Sequence, residues 1–356
     1  MNKTYIFTLL FLVTTTSLFA QVDFDPEQRL VELSGNKENI GIVAGYSIDG
    51  EVKWSQSAGV SCQDDSNIPF SSTTLTRIAS IAKNFTAVAI MQLVEKEVIS
   101  LDSPIENYLP DVPTDKKQIT VLQLMAHTSG IPQYLGEKEI ENTIHYESLQ
   151  DAMEIFIQRP LLFEPGTKYF YTTYGYVVLG RIIEAVTSMT YEDYMKKNVF
   201  KVAAMSHTFI EDINKAYLHK SCLYHNNGRK AKEGNQNDLS NRIPGGGFIS
   251  TLEDLLNFGN ALLQDKLITR ESLDKMLKYQ PVEYDGNKYG LGWFLYGPPP
   301  NENLVIGHSG GQTGCTSQLM IVPRSNTVVV VLSNTSGTYP AVATFASKLI
   351  RYSESK

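Results

Sequence analysis

Apolar runs with strand character lie at both ends of the chain, and a 3.6-residue period dominates between them. Residues 40–47 and 51–59 are β-prone runs joined by Ile48-Asp49-Gly50, a hairpin signal. Residues 75–78 read as a short extended piece. From Ser80 the pattern turns helical: Ile81, Phe85, Val88 and Gln92 share a stripe, flanked by Ala82, Ala89 and Leu93, with no Pro or Gly before Glu95. Residues 101–240 read mostly as helices and loops. Thr120 caps a helix stopped by Ser129-Gly130-Ile131-Pro132, and 174–186 and 191–199 are helical. The polar stretch 225–241 reads as an exposed loop. Gly245-Gly246-Gly247 then opens a new section, with Ser250 or Thr251 capping a helix over 252–263. Strands over 289–296, 303–309, 317–322 and 327–333 follow, separated by Pro, Gly and Asn turns, and a helix over 341–352 closes the chain.

Strands at both ends around a helical middle predict an α+β fold. An antiparallel sheet flanked by helices would form from residues of about 21–100 and 241–356, with a helical lobe of about 101–240 inserted. Residues 1–20 read as an export signal, giving a secreted or periplasmic protein: Lys3 supplies the positive start, 5–18 the apolar run and Ala20 the small residue at the cut. Leu18 does not suit the other small position, so the cleavage point stays open. The run is too short and threonine-rich for a membrane span, and no cysteine follows it to carry a lipid. A non-cleaved anchor is the alternative.

The formal net charge of −7 gives no basic footprint for nucleic acid. Six histidines without a metal-binding spacing predict no metal site, and no cofactor is expected. Cys62, Cys222 and Cys315 allow one bridge and one spare thiol; Cys315 is given no catalytic role.

The candidate chemistry centres on serine. The spacing S-x-x-K occurs four times, at Ser34/Lys37, Ser80/Lys83, Ser272/Lys275 and Ser353/Lys356. Only Ser80 starts an apolar helix that follows an extended segment, where its N–H lies in the unpaired first turn and can donate to an oxyanion. Lys83 falls on the same helix face. The helix dipole disfavours a cation there by about 0.3–1 kcal/mol, less than the 1.36 kcal/mol that one pKa unit represents. Desolvation or a second cation must therefore supply the rest if Lys83 is to act as a base. A tyrosine of the 169–176 segment could relay a proton beside it, but chemistry alone does not choose among Tyr169, Tyr171, Tyr174 and Tyr176. His308-Ser309-Gly310-Gly311 ends a strand in small residues, letting a carbonyl approach the backbone closely, with His308 as a further donor.

These segments, in this order, resemble class C serine β-lactamases and their relatives, the penicillin-binding D,D-peptidases and family VIII-type esterases. The markers are Ser80/Lys83, Ile119-Thr120-Val121 with His127-Thr128-Ser129-Gly130, the Tyr171 region, the 245–251 segment, Tyr289-Gly290-Leu291-Gly292-Trp293 and His308-Ser309-Gly310. Within that group the chain is most similar to the branch of mitochondrial serine β-lactamase-like proteins and their bacterial counterparts. The resemblance implies a β-lactamase/transpeptidase-like fold, Ser80 as nucleophile, and Lys83 as proton acceptor or electrostatic partner. It also implies Tyr171 as general base and acid, and the N–H groups of Ser80 and Gly311 as the oxyanion hole. His127 is read as structural.

Thr173 and His308 depart from the pattern of antibiotic-hydrolysing relatives, which carry an amide and a cationic lysine there. Both changes weaken recognition of a β-lactam side chain and carboxylate. The substrate is expected to be a small molecule or a peptidoglycan-type peptide, with residues 133–147 and 207–241 lining or covering the site. The alternative is a weakly catalytic or non-catalytic scaffold of the same fold that binds peptidoglycan or self-assembles; oligomeric state is left open.

Overall fold

In the computed structural model, the described residues are 24–35, 39–63, 67–228, 230–278, 288–296 and 304–356. The expected export signal lies outside them. A six-stranded antiparallel sheet runs in the order Glu51–Gly59, Gly41–Ile48, Thr327–Ser333, Cys315–Val322, Val305–Gln312, Phe294–Tyr296. The valine-rich strand Thr327–Ser333 is paired on both sides and buried throughout. Its side chains alternate between two cores, as the two-residue period of a strand requires. Val328, Val330 and Leu332 face the large core with helices Ala82–Glu95 and Leu252–Leu263, while Val329 and Val331 face helices Pro26–Gly35 and Tyr339–Glu354. No helix among the described residues is long and apolar enough to cross a membrane.

The Asp49-Gly50 turn takes positive φ at both residues (53° and 84°), as a tight two-residue hairpin demands. Thr120 and Gln123 form a reciprocal capping box at helix Val121–Met125, and Thr251 caps helix Leu252–Leu263. The expected strand over 289–296 is shortened to Phe294–Tyr296. Gly292, at φ +86°, turns the chain back so that Gly290 N–H donates to Trp293 O (2.9 Å). The helix expected over 191–199 is α-helical over Tyr191–Met195 and continues as a π-turn, Lys196–Phe200.

The stretch 225–241 departs from expectation in part: most of 225–236 is exposed, as expected of a loop, but it is not all loop and its end is buried. Tyr224–Asn226 and Ala231–Glu233 pair as strands, and Asn237 to Asn241 are buried. Asn237 and Asn241 are polar yet buried because their side-chain oxygens accept from the guanidinium groups of Arg77 and Arg242, not because they face water. Arg77, fully buried, is bound by the Glu211 carboxylate (2.7 Å), by Asn237 through side chain and carbonyl, and by Thr313 O (2.9 Å). Lys220 closes the same network on the other Glu211 oxygen.

Cys62 and Cys222 form the one bridge, and Cys315 is the buried free thiol. The bridge spans 160 positions, a long loop whose closure restricts the unfolded chain and contributes about 2–5 kcal/mol. Reduction, or Cys62→Ser with Cys222→Ser, is expected to lower the Tm in thermal unfolding. An unchanged Tm would remove the bridge from the account of stability.

Candidate active site

Ser80 sits in a 3-10 turn, Ala79–Ile81, that runs directly into helix Ala82–Glu95. The preceding Ala79 has φ +48°, a left-handed conformation that strains a residue with a side chain. Such strain persists only where neighbours hold it. Here the sheet does so: Ser317 Oγ donates to Ile78 O (2.8 Å), and the Cys315 thiol donates to Arg77 O (2.9 Å). Gly310 completes the contact, since an ideal Cβ there would lie 2.4 Å from Ile78 O and 3.0 Å from Ala79 Cβ. The glycine is what lets strand Val305–Gln312 come against the nucleophile turn.

Ser80 is half-buried and Lys83 fully buried. Lys83 Nζ lies 2.7 Å from Gly245 O, 3.3 Å from Thr173 Oγ1 and 3.1 Å from Ser80 Oγ. Its pKa is held well below the ordinary lysine value, first by burial and second by the positive charge of Arg242. These are the two sources that the weak helix dipole requires. A neutral amine has two N–H donors and one lone pair. Gly245 O and Thr173 Oγ1 accept the donors, and the lone pair is left for the Ser80 hydroxyl.

Tyr171 is the tyrosine the fold selects. Its phenol hydrogen-bonds Ser80, and its ring lies 4.9 Å from Lys83 Nζ. Burial pushes its pKa well above 10, so it stands as a phenol and hydrogen-bond donor. Tyr176 lies with its ring 5.6 Å from Lys83 Nζ, but its hydroxyl donates to Met125 O (3.0 Å). Tyr174 is turned to Glu139 (2.8 Å).

His308 and Thr173 are placed differently from a substrate-contacting role. His308 is buried, with Nδ1 2.6 Å from Ser309 O and Nε2 3.1 Å from the Tyr289 hydroxyl. Nδ1 must therefore carry the proton and Nε2 accept, which leaves the ring no free donor. Burial lowers its pKa to about 3, so the imidazole is neutral. Thr173 is buried and bonded to Lys83 and to Gln133 Nε2 (3.2 Å), so it holds the lysine. Ser309 is half-buried, and Gly311 is exposed, with nothing within 4 Å of where its Cβ would be.

His127 is buried at φ +60°, with Nδ1 accepting from Thr172 N–H (3.2 Å) and its ring 4.3 Å from that of Tyr171. It packs behind the site, but its Nε2 has no hydrogen-bond partner among the described residues, so the satisfied structural histidine that the sequence suggests is only half met. The other three S-x-x-K serines lie on helices Pro26–Gly35, Arg270–Met276 and Tyr339–Glu354, and Lys37 falls outside the described residues. The sequence reading missed Gln133 as a partner of Thr173, the Gly245 carbonyl and Arg242. A hint for the last was its place three residues before the glycine run. No cluster of residues suited to a metal ion occurs among the described residues.

A buried lysine beside a serine on a strained helix start, faced by a small-residue strand, can carry out acyl transfer. The Beta-lactamase family model matches residues 27–349. The chain belongs to the beta-lactamase family. It is an enzyme of the serine-hydrolase type with a β-lactamase/transpeptidase-like fold. It is similar to the human mitochondrial serine beta-lactamase-like protein LACTB (26% identity, covering 80% of this chain and 69% of the relative). It is also similar to penicillin-binding protein 4* of Bacillus subtilis (27%, covering 86% and 71%). Among solved structures, an octameric penicillin-binding protein homologue from Pyrococcus abyssi superposes with TM-score 0.80 at 27% identity, over 93% of this chain and 77% of that one. A D-amino acid amidase from Ochrobactrum anthropi SV3 shares the fold at TM-score 0.80 and 22% identity, over 92% and 98%.

Proposed function

We propose that the protein is an exported serine hydrolase that forms an acyl-enzyme on Ser80 with an ester, a D-amino-acid peptide or amide, or a β-lactam carbonyl. The observation that carries this reading is the Lys83 amine, buried and donating to Gly245 O and Thr173 Oγ1, with Ser80 Oγ at 3.1 Å. Lys83 takes the Ser80 proton as the hydroxyl attacks the carbonyl. The N–H groups of Ser80 and Gly311 hold the oxyanion. The Tyr171 phenol gives its proton to the leaving group and is refilled from the Lys83 ammonium. Water then cleaves the acyl-enzyme by the same groups in reverse.

Neutral His308, with both ring nitrogens engaged, offers no charge to a substrate carboxylate, so esters and amides suit the site better than β-lactams. The names of the relatives, penicillin-binding proteins and a D-amino acid amidase, support the same carbonyl classes. Export rests on the leader-like residues 1–20 and on the Cys62–Cys222 bridge, which fits an oxidising compartment. The test is turnover of p-nitrophenyl esters, D-amino-acid amides and nitrocefin by the wild type and by Ser80→Ala. Ester or amide turnover that disappears in Ser80→Ala is expected. Turnover that survives the substitution, or no turnover of any of the three, contradicts the reading.

A further inference from the structure

We propose that Arg242 is a positioning residue for this reaction: its buried guanidinium, with no carboxylate partner among the described residues, acts through its positive field on the Lys83 amine across the Gly245-Gly246 segment. The inference rests on the acyl-enzyme reading above and concerns how its base is made ready. Arg242 is 3% exposed, yet its contacts are neutral. Its Nε donates to Asn241 Oδ1 (2.7 Å), and its Nη2 donates to the carbonyls of Glu139 and Ile140 (2.5 and 2.6 Å). The Glu139 carboxylate is turned away, bound to Arg159 (2.6 Å) and Tyr174 (2.8 Å). Buried charges are ordinarily paired with an opposite charge. The fold thus keeps this cation solvated by dipoles and leaves its field uncancelled.

That field reaches Lys83 along a short path. Adjacent glycines neighbour the two side chains: a Cβ on Gly245 would be 3.4 Å from Lys83 Nζ, and one on Gly246 would be 3.8 Å from Arg242 Cδ. On a second path the guanidinium lies 4.5 Å from the Tyr134 ring, whose phenol hydrogen-bonds Thr173, the residue that also holds Lys83. The other groups facing Lys83 do not oppose the field. Tyr171 and Tyr176 are phenols held protonated by burial, and His127 and His308 are imidazoles held neutral by it. Among the described residues around the amine, Arg242 is the one that carries a full charge.

The acidic limb of the kcat/KM–pH profile for a neutral ester reports the free enzyme's essential base. Two variants cancel the field differently. Arg242→Gln removes the charge, and Asn241→Asp leaves the guanidinium in place but gives it a carboxylate partner. Both are expected to move the limb to higher pH, costing about tenfold for each unit moved at any pH below the limb, with the rate recovering on the alkaline side. Arg242→Lys keeps the charge and is expected to leave the limb near its wild-type position. A purely structural role would lower the rate equally at every pH and leave the limb in place; that result in Asn241→Asp, or in Arg242→Gln, overturns the proposal. If the limb stays put while Ser80→Ala is inactive, this inference fails alone. If Ser80→Ala keeps its activity, the acyl-enzyme reading fails first.

Discussion

Lys83→Met is expected to lower ester turnover by about 10²–10⁴-fold, the usual contribution of a positioned general base, while making the folded protein more stable. Methionine fills nearly the same space without an amine to desolvate, and Gly245 O and Thr173 Oγ1 lose one donor each. Thr173 keeps Gln133 as a partner, so the loss is partial. The fold holds the Lys83 pKa well below its ordinary value, so unfolding takes up protons and wild-type stability rises with pH up to the ordinary lysine range. The variant has no such proton to bind. Its Tm is therefore expected to exceed that of the wild type at neutral pH, with the gap narrowing toward alkaline pH. A variant that is less stable at neutral pH, or that retains full turnover, would contradict a buried neutral base.

Glu211→Gln has the largest expected effect on stability. The Glu211 carboxylate is wholly buried between Arg77 and Lys220, and Arg77 lies three residues before Ser80. Removing one partner of a buried pair leaves an uncompensated charge and costs about 3–5 kcal/mol, which urea unfolding would read directly. Lys220, partly exposed, can turn to water, whereas Arg77 cannot. Arg77→Met combined with Glu211→Gln removes the stranded charge and is expected to recover part of the loss. Turnover should fall in the single variant because the strained Ala79 turn depends on the segment that Arg77 anchors. A loss under about 1 kcal/mol, the range of an exposed pair, would show that the network is not what holds that segment.

How much of this was legible in the chain differs by kind of interaction. The valine run at 327–333, the Asp49-Gly50 hairpin and the Thr120 cap are local patterns, and they fold as written because period, turn and cap need few distant partners. Ser80 was separable from three other serines for the same reason: a helix start is a local feature. The environment of Lys83 was not legible. Thr173 lies 90 positions away and Gly245 162 positions away, so only the tertiary fold brings their acceptors to the amine.

Hydropathy failed at 237–241, though not over most of 225–236, because it cannot distinguish a side chain facing water from one facing a buried guanidinium. At His308 the misreading was one of side-chain chemistry: a residue set down as a possible substrate donor engages both nitrogens with Tyr289 and its own strand. At 289–296 the apolar residues have strand character, but Gly292 at positive φ folds them into a turn. Arg242 was overlooked because an isolated arginine in a polar stretch has the composition of surface. Its role appears only once Glu139 is seen to be spent on Arg159.

The central claim is that Ser80, activated by a neutral Lys83, is the group that becomes acylated. Incubation with a fluorophosphonate, followed by intact-mass and peptide mapping, tests it most directly. One adduct per chain on Ser80 is predicted, with none on Ser80→Ala and much slower labelling of Lys83→Met. An adduct on another residue, no adduct on the wild type, or equal labelling of Ser80→Ala would contradict it.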